Sequence, residues 1–319
     1  MNYDSFSVTM REATLLPAID GPQGIGRYEI HTIEAGKFAL DGGAMFGIVP
    51  KTIWDKTNPG DELNRIDMRL RCLLLIERDE KTKKILRSIL IDNGIGTKWT
   101  EKLMSIYKID HTHWFLEQEL AKKGLKPDDI TDVIGTHLHF DHMGGTTTRT
   151  SKGELVPTFP NARVWLQDQN WDLAYHPNEK DRASYLKENY DVYQGSSKLQ
   201  LLQTEYGKRE EIMPGIFVRI SNGHTKGMQL VEVADDKNSL IYCADAIPTA
   251  THVKTAYIMG YDCFPLTMIQ EKKLFLPEAV DRNMILYFEH CPRAEAASIF
   301  HDGKDFAIKQ VFRFGSMNT

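Results

Sequence analysis

At 319 residues, with 41% hydrophobic and 26% charged side chains, the chain has the make-up of a globular protein, either one large domain or two small ones. A formal charge of -5 disfavours a broad basic face for nucleic acid, and no stretch approaches the roughly 18 apolar residues needed to cross a bilayer. Cys72, Cys243, Cys263 and Cys291 form no C-x-x-C pair, a usage that fits a reducing compartment better than a disulfide framework. Met1 to Asp20 lacks the basic start and apolar core of a signal peptide, so a cytoplasmic protein with no membrane contact is expected.

No internal repeat or low-complexity linker divides the chain. Residues 27–41 read as extended until Asp41-Gly42-Gly43 breaks the run. Arg69 to Glu77 and Ile85 to Ile91 read as two paired strands around the polar turn Asp79-Glu80-Lys81. A helix is expected from Trp114 to Lys123, with Leu116 and Leu120 on one face and Gly124 as its cap. Asp132 to Thr136 and Ala162 to Leu166 are short strands, the second followed by a helix from Asp168 to Tyr175. Residues 176–200, polar and carrying Tyr185, Tyr190 and Tyr193, look like an inserted helical cap or loop rather than core. Ile216 to Ile220, Leu230 to Val233, Leu240 to Cys243 and Met284 to Phe288 are further strands, with a crossover helix over Pro265 to Phe275. Strands that first pair locally and later alternate with helices predict a mixed α/β domain whose helices cover its sheets.

The densest chemical signal is Thr136-His137-Leu138-His139-Phe140-Asp141-His142, directly behind the apolar Val133-Ile134. Imidazole nitrogen and carboxylate oxygen are preferred ligands of zinc and similar divalent ions. In an extended segment His137, His139 and Asp141 would point the same way and His142 the other, with Gly144-Gly145 turning the chain just after. One segment could therefore serve two adjacent ions. Three more candidates stand at strand ends: His224 in Asn222-Gly223-His224-Thr225, Asp245 after Leu240 to Cys243, and His290 after Ile285 to Glu289. Taken singly each is more often structural, a capping aspartate or a lone histidine.

Their order behind the cluster resembles the metallo-β-lactamase superfamily. Its successive motifs match Asp92 in Ile91-Asp92-Asn93-Gly94, then His137, His139, Asp141 and His142, then His224, Asp245 and His290, and Phe159-Pro160-Asn161-Ala162 is similar to the family's approach to its next strand. The likeness spans roughly residues 27–300 and implies an αββα sandwich, two mixed β-sheets face to face with helices outside. It implies one domain over 1–319, with an N-terminal arm of about 26 residues and the insertion near 176–200. It further implies that His137, His139 and His224 hold one metal ion and Asp141, His142 and His290 a second. Asp245 would bridge both, and Asp92 would orient a ligating imidazole. Two ions about 3.5–4 Å apart share a water and lower its pKa towards about 7, giving a bridging hydroxide. Asp141 is the candidate to carry a proton to the leaving group. Zinc suits the donor set; manganese, iron or cobalt fit it too.

Leu40-Asp41-Gly42-Gly43-Ala44-Met45-Phe46-Gly47, followed by Pro50 and Trp54, resembles a loop of the acyl-homoserine lactonase and methyl parathion hydrolase branch. That implies a lactone or ester substrate, side activity on organophosphates, and by analogy a homodimer. Met45 and Phe46 would form an apolar wall for the substrate, the alternative being two core residues beside a turn. The branch's tyrosine three residues after the bridging aspartate is replaced here by Pro248, leaving Tyr257, Tyr261 or a tyrosine of 176–200 to substitute. His252 is expected at the surface or bordering the pocket, His111 and His113 at the surface, and Cys243 buried. Two other functions stay open: a phosphodiesterase or nuclease, which a basic stripe would betray, and a non-catalytic module with a closed metal shell.

Overall fold

The computed structural model describes residues 16–110 and 116–314. Two large sheets dominate. The first has seven strands in the order Leu199–Leu202, Arg163–Gln167, Asp132–Ile134, Ile85–Ile91, Arg65–Arg78, Tyr28–Asp41 and Gly24–Ile25. The second has eight, in the order Ile19–Asp20, Phe306–Arg313, Ala296–His301, Ile285–Tyr287, Ser239–Tyr242, Met228–Ala234, Ile216–Ser221 and Glu210–Met213. Both mix parallel and antiparallel neighbours.

The run Arg69 to Glu77 explains how the layers form. It pairs antiparallel with Ile85–Ile91, as expected, inside a strand that extends to Arg65–Arg78. Side chains alternate along a strand. Leu73 and Leu75 therefore enter the core between the two sheets, beside Val231, Leu240 and Leu286, whereas Leu70, Cys72, Leu74 and Ile76 face a second core with Leu116, Leu120 and Trp54. A strand covered on both faces reads as an uninterrupted apolar run. Helices lie on the outer faces, so the architecture is the expected sandwich.

Several boundaries differ from the sequence reading. Asp41-Gly42-Gly43 does break the strand, but into a short helix, Gly42–Phe46, which Asp41 Oδ1 caps by accepting from Ala44 N at 2.8 Å. The crossover helix runs over Pro265–Asp281, past Pro277. Proline removes one helical hydrogen bond, but burial of Leu276 and Ala279 against the second sheet outweighs that loss. Lys51–Trp54 and Glu101–Tyr107 are further helices that escaped the sequence reading. The helix predicted over 114–123 is Leu116–Lys122; Trp114, His111 and His113 lie outside the described residues. Residues 176–200 are irregular, with three 3-10 turns, yet Tyr185, Tyr190 and Tyr193 are buried in the second core rather than sitting on a polar cap. At the N-terminal side, Ile19–Asp20 pairs with Phe312 and Arg313, tying the start of the described chain to its own sheet. Among the described residues no helix is long and apolar enough to cross a membrane.

Gly144 and Gly145 are needed for closeness rather than for a reversed turn. They begin a 3-10 turn, and a Cβ on Gly144 would lie 2.3 Å from Ile95 O, one on Gly145 2.4 Å from Asn93 O. Gly144→Ala should therefore destabilise the protein by about 3 kcal/mol, read from denaturant unfolding. An undisturbed midpoint would show that the backbone can back away.

Candidate metal centre

The histidine-rich segment leaves the sheet at Ile134 and is pinned as it does so. Gln229 Nε2 donates to Gly135 O at 2.7 Å, and Leu138 N donates to Asn170 Oδ1 at 2.9 Å. The segment does not stay extended. His139 begins a helical turn, Phe140–Met143, so Asp141 swings away from His137 and His139 and joins His142. The expectation that His137, His139 and Asp141 share one side is thus corrected. A turn at 3.6 residues per revolution replaces the period of two.

All seven sequence candidates converge in two adjoining groups. The ligand atoms of His137, His139, His224 and Asp245 lie within 4.8 Å of one another, as do those of Asp141, His142 and His290. Asp245 joins the groups: its Oδ2 is 3.1 Å from His224 Nε2 and 3.5 Å from His142 Nε2, and its Oδ1 is 3.2 Å from His290 Nε2. All seven side chains are buried.

Partners behind the rings decide which nitrogens face inward. His290 Nδ1 lies 2.8 Å from Arg69 O, His224 Nδ1 lies 3.0 Å from Asp262 Oδ1, and His142 Nδ1 lies 3.0 Å from Asp92 Oδ2. A carbonyl or carboxylate only accepts, so each Nδ1 carries the hydrogen and each Nε2 of the neutral ring carries a lone pair. His142 Nε2 and His290 Nε2 stand 3.3 Å apart, and His224 Nε2 stands 3.2 Å from His139 Nδ1. His137 Nε2 and Asp245 Oδ1 are buried without a hydrogen-bond partner. Inward-facing nitrogens in both groups, with orphaned acceptors among them, fit cations, and imidazole with carboxylate is the donor set that zinc and its neighbours favour.

In the metal-free cluster protons take part of a cation's place. Burial, then the neighbouring imidazoles, hold His137 and His139 well below the usual histidine range, so both are neutral and able to donate. At His290 burial opposes the charged ring, but Asp245 outweighs it and the pKa is pushed up to about 9. Asp245 itself is held well below the carboxylate range; burial works against its charge and His142, His224 and His290 overcome it.

Asp92 sits behind His142 in the place expected for an orienting residue. Its Oδ1 accepts from Thr136 N at 2.7 Å and its Oδ2 from Thr136 Oγ1 at 2.7 Å. Sequence reasoning missed Asp262 behind His224 and Glu289, whose Oε2 is 2.8 Å from His142 Nδ1. No spacing rule marks Asp262. Glu289 had a signal, an acid ending the apolar run Ile285 to Phe288 directly before a candidate ligand.

Other expectations need correction. Met45 and Phe46 are 1% and 0% exposed, so they are core rather than a substrate wall. Phe46 stacks between Trp54, at 5.4 Å, and His252, at 4.7 Å. His252 is likewise buried rather than at the surface. Both its ring nitrogens are occupied, Nδ1 at 2.8 Å from Thr249 Oγ1 and Nε2 at 2.9 Å from Met45 O, and burial lowers its pKa to about 3. Cys243 is buried, as expected. Pro248 contributes its carbonyl, which accepts from His290 N at 3.1 Å.

Of the tyrosines considered, Tyr257 lies edge-on to Phe46, and Tyr185 binds Thr225 Oγ1 at 2.8 Å while its ring is 4.7 Å from His139. Tyr261 is 37% exposed, and its phenol is raised by burial and then by Asp41, Tyr107 and Asp141. Tyr107, also raised by burial and then by Asp141, packs at 5.2 Å from Phe140, which in turn is 5.2 Å from Trp99. Tyr107 and Tyr261 thus lie close enough to Asp141 to feel its charge.

Two face-to-face sheets, helices on the outside and a histidine–aspartate cluster at the strand ends define a metallo-β-lactamase fold. Residues 87–151 match the sequence profile of the metallo-beta-lactamase superfamily. N-acyl homoserine lactonases of Bacillus cereus and Bacillus thuringiensis are 28% identical to it over 128 and 179 residues, covering 38% and 54% of this chain. Those alignments span only 40% and 60% of the two relatives' own lengths. A probable metal-dependent hydrolase from Staphylococcus aureus superimposes with a TM-score of 0.78 at 28% identity, over 91% of this chain and 100% of that one. AidC, a dizinc quorum-quenching lactonase, shares the fold with a TM-score of 0.70 at 19% identity, over 92% and 97% of the two chains.

Proposed function

We propose that the protein is a metal-dependent hydrolase that opens the ring of an acyl lactone, with an N-acyl-homoserine lactone as the model substrate. The observation that carries this reading is Asp245 set between two groups of imidazoles whose lone pairs face inward. His137, His139 and His224 would hold one divalent cation, Asp141, His142 and His290 another, and Asp245 would serve both. Such a pair, zinc by donor preference, supplies Lewis acidity towards a carbonyl and an acidified water.

The remaining work falls to the chain. Water adds to the acyl carbon, the bond from that carbon to the ring oxygen breaks, and the ring oxygen leaves as an alcohol. Asp141, 7% exposed, accepts the proton lost by the water and returns it to the departing oxygen. Tyr261 offers a phenolic O–H to the substrate's carbonyl, taking the role Pro248 cannot fill. Tyr107, Phe140 and Trp99 offer an apolar wall for the acyl chain. Asp92 and Asp262 keep His142 and His224 in the tautomer that donates inward.

The test is a series of acyl lactones of increasing chain length, with aryl esters and an aryl phosphotriester alongside, assayed on protein of known metal content. Ring opening should dominate and should improve with acyl length. Protein carrying two metal equivalents that opens no lactone and cleaves no ester would sink the substrate assignment.

A further inference from the structure

The centre contains one carboxylate more than the proposed coordination uses. Glu289 is 0% exposed, and although its Oε2 lies 2.8 Å from His142 Nδ1, neither of its oxygens completes a hydrogen bond. That nitrogen bonds Asp92 Oδ2 at 3.0 Å instead. Asp92, already supplied by Thr136, has no donor to spare for Glu289.

Glu289 cannot swing away to find one. Its carbonyl accepts from Arg71 N at 3.2 Å, the next carbonyl, of His290, accepts from Arg69 N at 3.2 Å, and His290 N donates to Pro248 O. The backbone here is thereby held between a strand of the first sheet and the segment at Pro248. The carboxylate faces the ring of His142, at 2.8 Å, and a buried carboxylate is costly unless positive charge stands near it.

We infer that Glu289 is a positioning residue for metal binding: its carboxylate, packed against the rear of His142, is a second counter-charge for the cation that Asp141, His142 and His290 would hold. In a dry interior an anion behind an imidazole strengthens that ring as a donor and attracts the cation on its far side. His142 then faces Asp92 and Glu289 behind and Asp141 and Asp245 in front. The inference rests on the dinuclear reading above.

The experiment is a zinc titration of metal-free protein against a competing chelator, giving stoichiometry and stepwise Kd, together with the melting temperature of the metal-free form. Wild type, Glu289→Gln and Glu289→Asp are compared. Glu289→Gln keeps the size but not the charge. One of its two equivalents should weaken about 10–100-fold while the other is unchanged. Glu289→Asp, which keeps the charge, should bind the weakened equivalent more tightly than Glu289→Gln. Unchanged stepwise affinities would overturn the inference, as would equal weakening of both equivalents with a lowered metal-free melting temperature, since a purely structural role predicts that. Wild-type protein taking fewer than two equivalents would instead overturn the dinuclear reading itself.

Discussion

Asp245→Asn is expected to lower kcat/KM on a lactone by about 10³-fold or more while leaving the circular dichroism spectrum of the fold unchanged. The carboxylate presents one oxygen to His224 and the other to His290, so it alone ties the His137–His139–His224 group to the Asp141–His142–His290 group. Asparagine keeps the shape but replaces one oxygen with an amide that cannot ligate a cation, and it removes a negative charge from among the imidazoles. Cation-assisted stabilisation of a developing oxyanion is worth several kcal/mol, and each 1.36 kcal/mol is about tenfold in rate. Metal analysis of the variant should show loss of at least one equivalent. A variant with full metal content and near-wild-type turnover would mean that the aspartate is not shared.

Stripping divalent metal with a chelator should abolish hydrolysis and lower the melting temperature by about 10 °C, both reversed by adding zinc back. The physical reason lies in the nitrogens. His142 Nε2 and His290 Nε2 stand 3.3 Å apart, each with its hydrogen committed behind it to Asp92 or to Arg69 O. Without a cation only protons can take its place, at the cost of burying charged rings, and His137 Nε2 completes no hydrogen bond. A ligand present at about 1,000 times its Kd contributes about 4 kcal/mol to stability, which for a domain of this size is about 10 °C. A melting temperature indifferent to the chelator would mean that the cluster is closed by its own hydrogen bonds.

The parts legible in the sequence were those with a local period or an ordered motif. Arg69 to Glu77 is apolar on both faces because it lies between two cores, and a strand with a partner across a polar turn was the natural reading. The seven candidate ligands could be named because they sit at strand ends in a known order. Local signals failed where tertiary packing overruled them. The crossover helix expected to end at Phe275 runs on through Pro277 because Leu276 and Ala279 are buried. Met45 and Phe46 looked like an exposed wall because glycines flank them, but those glycines open a capped helix that drives both side chains inward.

The identity of the chemistry was therefore set by the chain itself: three imidazoles and a carboxylate within six residues, with His224, Asp245 and His290 following in order. The arrangement was not. Asp141 parts from His137 only because the backbone coils at Phe140–Met143, and Asp262, Glu289 and the Arg69 carbonyl reach the rings from segments that no sequence spacing connects. Orientation of a ligand is a property of what stands behind it, and what stands behind these histidines is supplied by the packing of two sheets.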